Sequence, residues 1–167
     1  MARKTERLEL ALILVAWAAM QAFFATTAFR VDETNIIRIA EQAARTPADP
    51  YGFQINWVGR DESAFGVLAN PPLVPLWLAA WGSTFGWSET VLHRSVLPFS
   101  LLAIVAFWRL AGEFGVDRGI AALLLIASPA FFLSSQVVMP DVAMLSLLLA
   151  SVAAAFLYRR TGHPALL

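Results

Sequence analysis

Asp32 and Glu33 stand side by side where an apolar run over residues 8–29 gives way to an amphipathic stretch, and Asp141 directly follows Pro140 at the head of another apolar run. Carboxylates at the edge of a bilayer carry a desolvation cost, and a chain keeps them there for capping, ion pairing or chemistry. Two such groups converging on one side of a membrane could bind a cation, or one could take the proton of a hydroxyl while the other orients it. The structural alternatives are equally concrete. Asp32 can cap the helix that follows it, and an acid beside a proline is an ordinary helix start, favoured by the dipole. Two histidines, His93 and His163, and no cysteine offer no dedicated metal site. The reading is therefore of no required cofactor, with a divalent cation on Asp32, Glu33 and Asp141 as an option.

The elements that must place these acids are membrane elements. Hydrophobic residues make up 59% of the chain and charged residues only 14%, which sets the class as an integral membrane protein. A formal net charge of +0 without a basic stripe sets nucleic-acid binding aside. Four apolar segments, 8–29, 91–111, 116–133 and 142–158, are read as spans against about 20 residues for a full crossing. The third is the shortest: its apolar core begins near Gly119, so either the helix starts earlier, near Val116, or the chain after it dips into the bilayer. Arg3, Lys4 and Arg7 before the first span, Arg109 and Arg118 at the second turnaround, and Arg159-Arg160 after the fourth put both termini in the cytoplasm. Residues 30–90 are then one long external loop, with a short second external loop at 134–141. The first segment is read as an uncleaved anchor, because its apolar run exceeds the 7–15 residues usual in a signal peptide.

Inside the long loop, Ile36, Ile37, Ala40, Ala43 and Ala44 recur at helical spacing, with Glu33, Arg38, Glu41, Gln42 and Arg45 on the other side. This predicts a surface-lying amphipathic helix over 33–45 that starts at an Asp32 cap and is limited by Pro47 and Pro50. A second apolar patch, 73–85, carries Trp77 and Trp81, followed by Trp87, and suits the headgroup zone as a short interfacial helix. The expected fold is an all-α polytopic integral membrane protein, one domain over 1–167, with four transmembrane helices and interfacial helices in the first external loop. Ser146, Ala150 and Ala154 give the fourth span a small-residue face able to meet another helix.

The ordered series Asp32-Glu33-Thr34, Asn70-Pro71-Pro72-Leu73, Gly86-Trp87-Ser88-Glu89 with Leu92-His93-Arg94, and Val138-Met139-Pro140-Asp141 resembles the N-terminal part of the GT-C membrane glycosyltransferases. The branch it most resembles is glycosyltransferase family 39, the protein O-mannosyltransferases and aminoarabinose transferases. The resemblance implies an inverting transfer of sugar from a polyprenyl-phosphate donor to an acceptor hydroxyl on the outer face of the membrane. It implies Asp32 as the base that takes the acceptor proton, with Glu33 beside it and Asp141 as the second acidic site holding donor or acceptor. The leaving phosphate calls for cations. Arg60, His93 and Arg94 are the candidates for substrate binding, along with Asn70, which stands where the aminoarabinose-transferring relatives favour a basic residue. His93 and Arg94 could equally be interfacial anchors.

Members of that family continue through many more helices, so the chain reads as the N-terminal part of a larger module, completed by missing helices or a partner subunit. The alternative from a different class is a noncatalytic four-helix membrane protein that binds a lipid phosphate or partner helices. Membrane lipids are partners under either reading.

Overall fold

The computed structural model describes residues 2–24, 26–68 and 70–162. It is mostly helical. In chain order the elements are α1 (Ala2–Phe24), α2 (Val31–Arg45), β1 (Gln54–Asn56), β2 (Asp61–Ser63), α3 (Ala64–Val67), α4 (Leu73–Phe85), α5 (Glu89–Ser95), α6 (Leu97–Glu113), α7 (Arg118–Ala127), α8 (Pro129–Ser134) and α9 (Pro140–Thr161). They form two compact units. One contains α1, α6, α7, α8 and α9; the other contains α2 to α5, the two strands and residues 137–140.

In the first unit the core runs through Ile13 and Trp17 of α1, Ile104 and Trp108 of α6, Ala122 and Ile126 of α7, Phe131 of α8 and Val142 of α9. The Asp117 carboxylate starts α7 by accepting from Ile120 N–H at 2.8 Å. Arg118, the first residue of that helix, lies over the Trp108 ring at 4.7 Å. The Gln21 amide donates to the Ser135 hydroxyl at 2.8 Å, which gives two buried polar side chains a partner each.

In the second unit α2 packs on α4 through its apolar stripe, with Ile36, Ile39, Ala40, Val74 and Leu78 all buried. The amphipathic pattern thus finds its partner in protein. A smaller cluster of Ile39, Ile55, Ala64 and Leu68 lies under the hairpin.

Two of the described helical runs are long and apolar enough to cross a membrane: Glu89–Glu113, where α5 passes into α6, and Pro140–Thr161. Other expectations need correction. The chain is not purely helical, since β1 and β2 pair antiparallel, with Gln54 opposite Ser63 and Asn56 opposite Asp61. Their loop turns at Gly59, whose φ of 87° suits glycine and whose N–H is held by the Asn56 side chain at 2.9 Å.

The segment 116–133 is not one helix. Pro129 disfavours helical backbone at the residue before it, and Ser128 is extended with ψ of 125°. Ser128 closes α7 and then caps α8, its hydroxyl accepting from Phe131 N–H at 3.5 Å. The ten residues of α7 reach only about 15 Å, half a hydrocarbon core. The first helix ends at Phe24, short of residue 29, and the chain is nonhelical from Thr27 to Arg30. Arg3, Lys4 and Arg7 lie within α1 with side chains outside the described set, and His163 also falls outside it.

Candidate functional site

Glu33, not Asp32, is the carboxylate that the fold encloses. It is 1% exposed, in the first turn of α2, and three donors surround it. Its Oε2 accepts from the Arg30 backbone N–H at 2.5 Å. Its Oε1 accepts from the Val138 backbone N–H at 2.6 Å and lies 3.1 Å from His93 Nε2. The Arg30 contact is the returning half of a capping box, in which the third residue of a helix satisfies the backbone of the residue before it. The expected Asp32 cap is therefore corrected. The helix begins two residues earlier, at Val31, Arg30 takes the capping position, and Asp32 stands inside the first turn, exposed.

His93 reaches Glu33 because α5 is held against α4. The Trp77 indole N–H donates to Ser95 O at 2.9 Å, and that of Trp81 donates to Val91 O at 3.1 Å. The tryptophans expected in a headgroup zone are thus also clamps on a neighbouring helix. The His93 ring is buried and tilted against Phe29, with ring centres 5.3 Å apart. Its Nδ1 lies 2.9 Å from Glu89 O, four residues back in the helix. Both ring nitrogens lie against oxygen acceptors, and the tautomer decides which of them donates.

Burial pushes the Glu33 carboxyl up, but the hydrogen bonds from His93, Arg30 and Val138 and the charge of His93 outweigh it. The net pKa lies below the ordinary glutamate value. A buried carboxylate is costly alone, and here its lone pairs are met by two backbone donors and a ring.

The remaining sequence candidates divide. His93 is engaged on both ring nitrogens within the protein, by Glu89 O and the Glu33 carboxylate. Arg94, the next residue, is exposed. Arg60 sits beside the β2 start and pairs with Glu62 at 2.8 Å with its side chain exposed. Asn70 contributes backbone: its carbonyl accepts the Tyr51 hydroxyl, and its N–H donates to Leu68 O at 2.8 Å. Asp141 belongs to the first unit, exposed in the opening turn of α9. There it borders a cleft of about 200 Å³ with Ser128, Phe131, Ser134 and Leu145.

Among the described residues, no group of three or more His, Asp or Glu side chains is placed to hold a metal ion. Sequence reasoning missed Val138 and Arg30, because both act through backbone N–H groups that have no side-chain signature. The one available signal for Arg30 was Glu33 itself, an acid three residues past a helix start. No protein family, curated protein or solved structure matches the chain.

Proposed function

We propose that the chain belongs to a membrane glycosyltransferase of the GT-C kind, which moves a sugar from a polyprenyl-phosphate donor to an acceptor hydroxyl at the outer face of the membrane. The observation that carries this reading is the division of labour in one acidic pair. Glu33 is locked by three donors, so the first turn of α2 is fixed, and Asp32 on that turn is left exposed. A rigid scaffold presenting an unshielded carboxylate is what a general base needs.

In the proposed step, the acceptor oxygen attacks the anomeric carbon as its proton passes to Asp32. The bond from that carbon to the lipid phosphate breaks, and the phosphate leaves with the electron pair, so the anomeric centre inverts. Arg94 is the exposed guanidinium next to the His93 anchor and is the candidate for the leaving phosphate. Asp141 is assigned to holding donor or acceptor by the same ordered motifs that place Asp32.

The topology that goes with this reading has four passages, made by α1, by α5 with α6, by α7 and α8 in succession, and by α9. Both termini are cytoplasmic and residues 30–90 external. The bent third passage is compatible with a bilayer where its open backbone is covered by protein.

The deciding experiment is Asp32→Asn in the product of the full reading frame, assayed in membranes with polyprenyl-phosphate sugars as donors. Asparagine keeps the size of the side chain but is no comparable base. Turnover at saturating donor is expected to fall by about 10²–10⁴-fold. Near-normal turnover would return Asp32 to a surface role on α2.

A further inference from the structure

The first unit contains a second site, unrelated to the acidic pair. A cleft of about 450 Å³ opens between α6 and α9, walled by Leu102, Val105 and Trp108 on one side and Ala150, Ala153 and Ala154 on the other. Its polarity is graded. Apolar and small side chains line most of its length, and Arg109, Glu113 and Arg118 gather at the end where α6 passes into α7. Glu113 is held by Arg160 at 2.9 Å and Arg118 faces Glu6 at 3.6 Å, so the exposed Arg109 carries the surplus positive charge of that end.

Arg118 is held by several contacts at once. It lies over the Trp108 ring, keeps a 3.6 Å contact to the partly exposed Glu6, and packs where Gly112 has no side chain. A Cβ at Gly112 would collide with its guanidinium. Trp108 itself is 9% exposed, and its indole N–H is buried without a hydrogen-bond partner among the described residues. A buried donor left over in a cleft wall is unusual in a finished interior. The other wall belongs to a helix of which only 17% of the most apolar window is buried.

We propose that this cleft binds one anionic phospholipid, its phosphate at Arg109 and Arg118 and an acyl chain along the α9 alanines. The charge gradient favours an amphiphile over a second helix: a helix would fill the apolar length but offer no anion to the exposed Arg109, with Arg118 beside it only partly neutralised by Glu6. Basic pockets between membrane helices on the cytoplasmic side are a recurrent form of headgroup recognition. The site rests on the membrane reading of α6 and α9 and is independent of any glycosyl transfer.

The test uses the protein purified in a neutral detergent, with dioleoyl phosphatidylglycerol or dioleoyl phosphatidylcholine added, and counts retained lipid by native mass spectrometry. One phosphatidylglycerol is expected to be retained, with a preference over phosphatidylcholine of roughly 30-fold, the effect of about two arginines near a membrane surface. Arg109→Gln with Arg118→Gln should bring the two lipids close to parity. Ala154→Leu should lower retention of phosphatidylglycerol by filling the cleft. Arg159→Gln, at the same end of α9 but outside the lining, should leave the preference intact.

Equal retention of the two lipids by the unmodified protein, which needs no variant, overturns the proposal. So does an equal loss of preference in Arg159→Gln, since that would mean bulk charge attraction. A dimer that Ala154→Leu dissociates without change in bound lipid would assign the cleft to a second copy and likewise overturn it. Release of the protein from membranes by alkaline carbonate would remove the membrane reading and the site together, whereas lipid indifference in an integrated protein removes the site alone.

Discussion

Glu33 and His93 form a pair whose members lie 60 residues apart in sequence and 3.1 Å apart in the fold. Glu33→Gln keeps the shape but removes the charge, and one face of the new amide must present N–H groups to donors. At neutral pH this should cost about 1–3 kcal/mol, read as a lower thermal midpoint of the helical signal in detergent. The pH dependence follows from the sign of the shift. The folded carboxyl binds its proton less tightly than the unfolded one, so its stabilisation is complete above the unfolded pKa and is lost as pH falls through the lower, folded value. The gap between the natural protein and Glu33→Gln should therefore close on acidification through and below the ordinary carboxylate range. A gap that widened on acidification would contradict the assignment. From sequence, the acidic pair was visible as a pair, and its interest was legible. Which member is buried was not, because burial depends on a histidine on another helix and on a Val138 N–H that is free only because α9 has not yet begun.

At the level of elements, the sequence was most informative where periodicity was strong. The stripe of Ile36, Ile37, Ala40 and Ala43 predicted a helix over 33–45, and α2 runs Val31–Arg45; the patch at 73–85 is α4. Both gave up their apolar faces to each other, a pairing that periodicity alone does not reveal. The break at Ser128 was marked by Pro129 but hidden by the apolar composition around it. The hairpin of β1 and β2 was missed because three-residue strands carry too little alternation to stand out. Close packing in this unit makes a sharp test at Gly82, where a Cβ would come within 2.8 Å of the Trp87 ring. Gly82→Ala must displace that indole and is expected to destabilise by about 1–3 kcal/mol, despite the better helix propensity of alanine. A variant as stable as its parent, by the same thermal measurement, would mean that Trp87 is free to move.

For the molecule as a whole, the absence of cysteine from the sequence makes single-cysteine labelling clean. Ser63, at the end of β2, and Thr161, at the end of α9, are both exposed. Cysteines placed singly at these positions should react with a membrane-impermeant maleimide from opposite sides of sealed vesicles. Reaction from the same side would reject the proposed topology with its external 30–90 segment. Composition pointed to a membrane class, and two of the described helical runs are long and apolar enough to cross a bilayer. The number of passages was less legible, since counting apolar residues overlooks a bend.

The 2.6 Å bond from Val138 N–H to Glu33 also fixes a parity. Residues 137–140 are part of the same compact unit as α2, so if α2 lies on one face of a bilayer they lie on that face too. Under that condition, any path between Ser95 and Val137 crosses the bilayer an even number of times, zero included. If α6 traverses the bilayer, α7 and α8 are obliged to bring the chain back, however short each is alone. A translocon that left them on the far side would strand a buried glutamate without one of its donors, so insertion errors at this step would be felt as a folding defect more than 100 residues upstream.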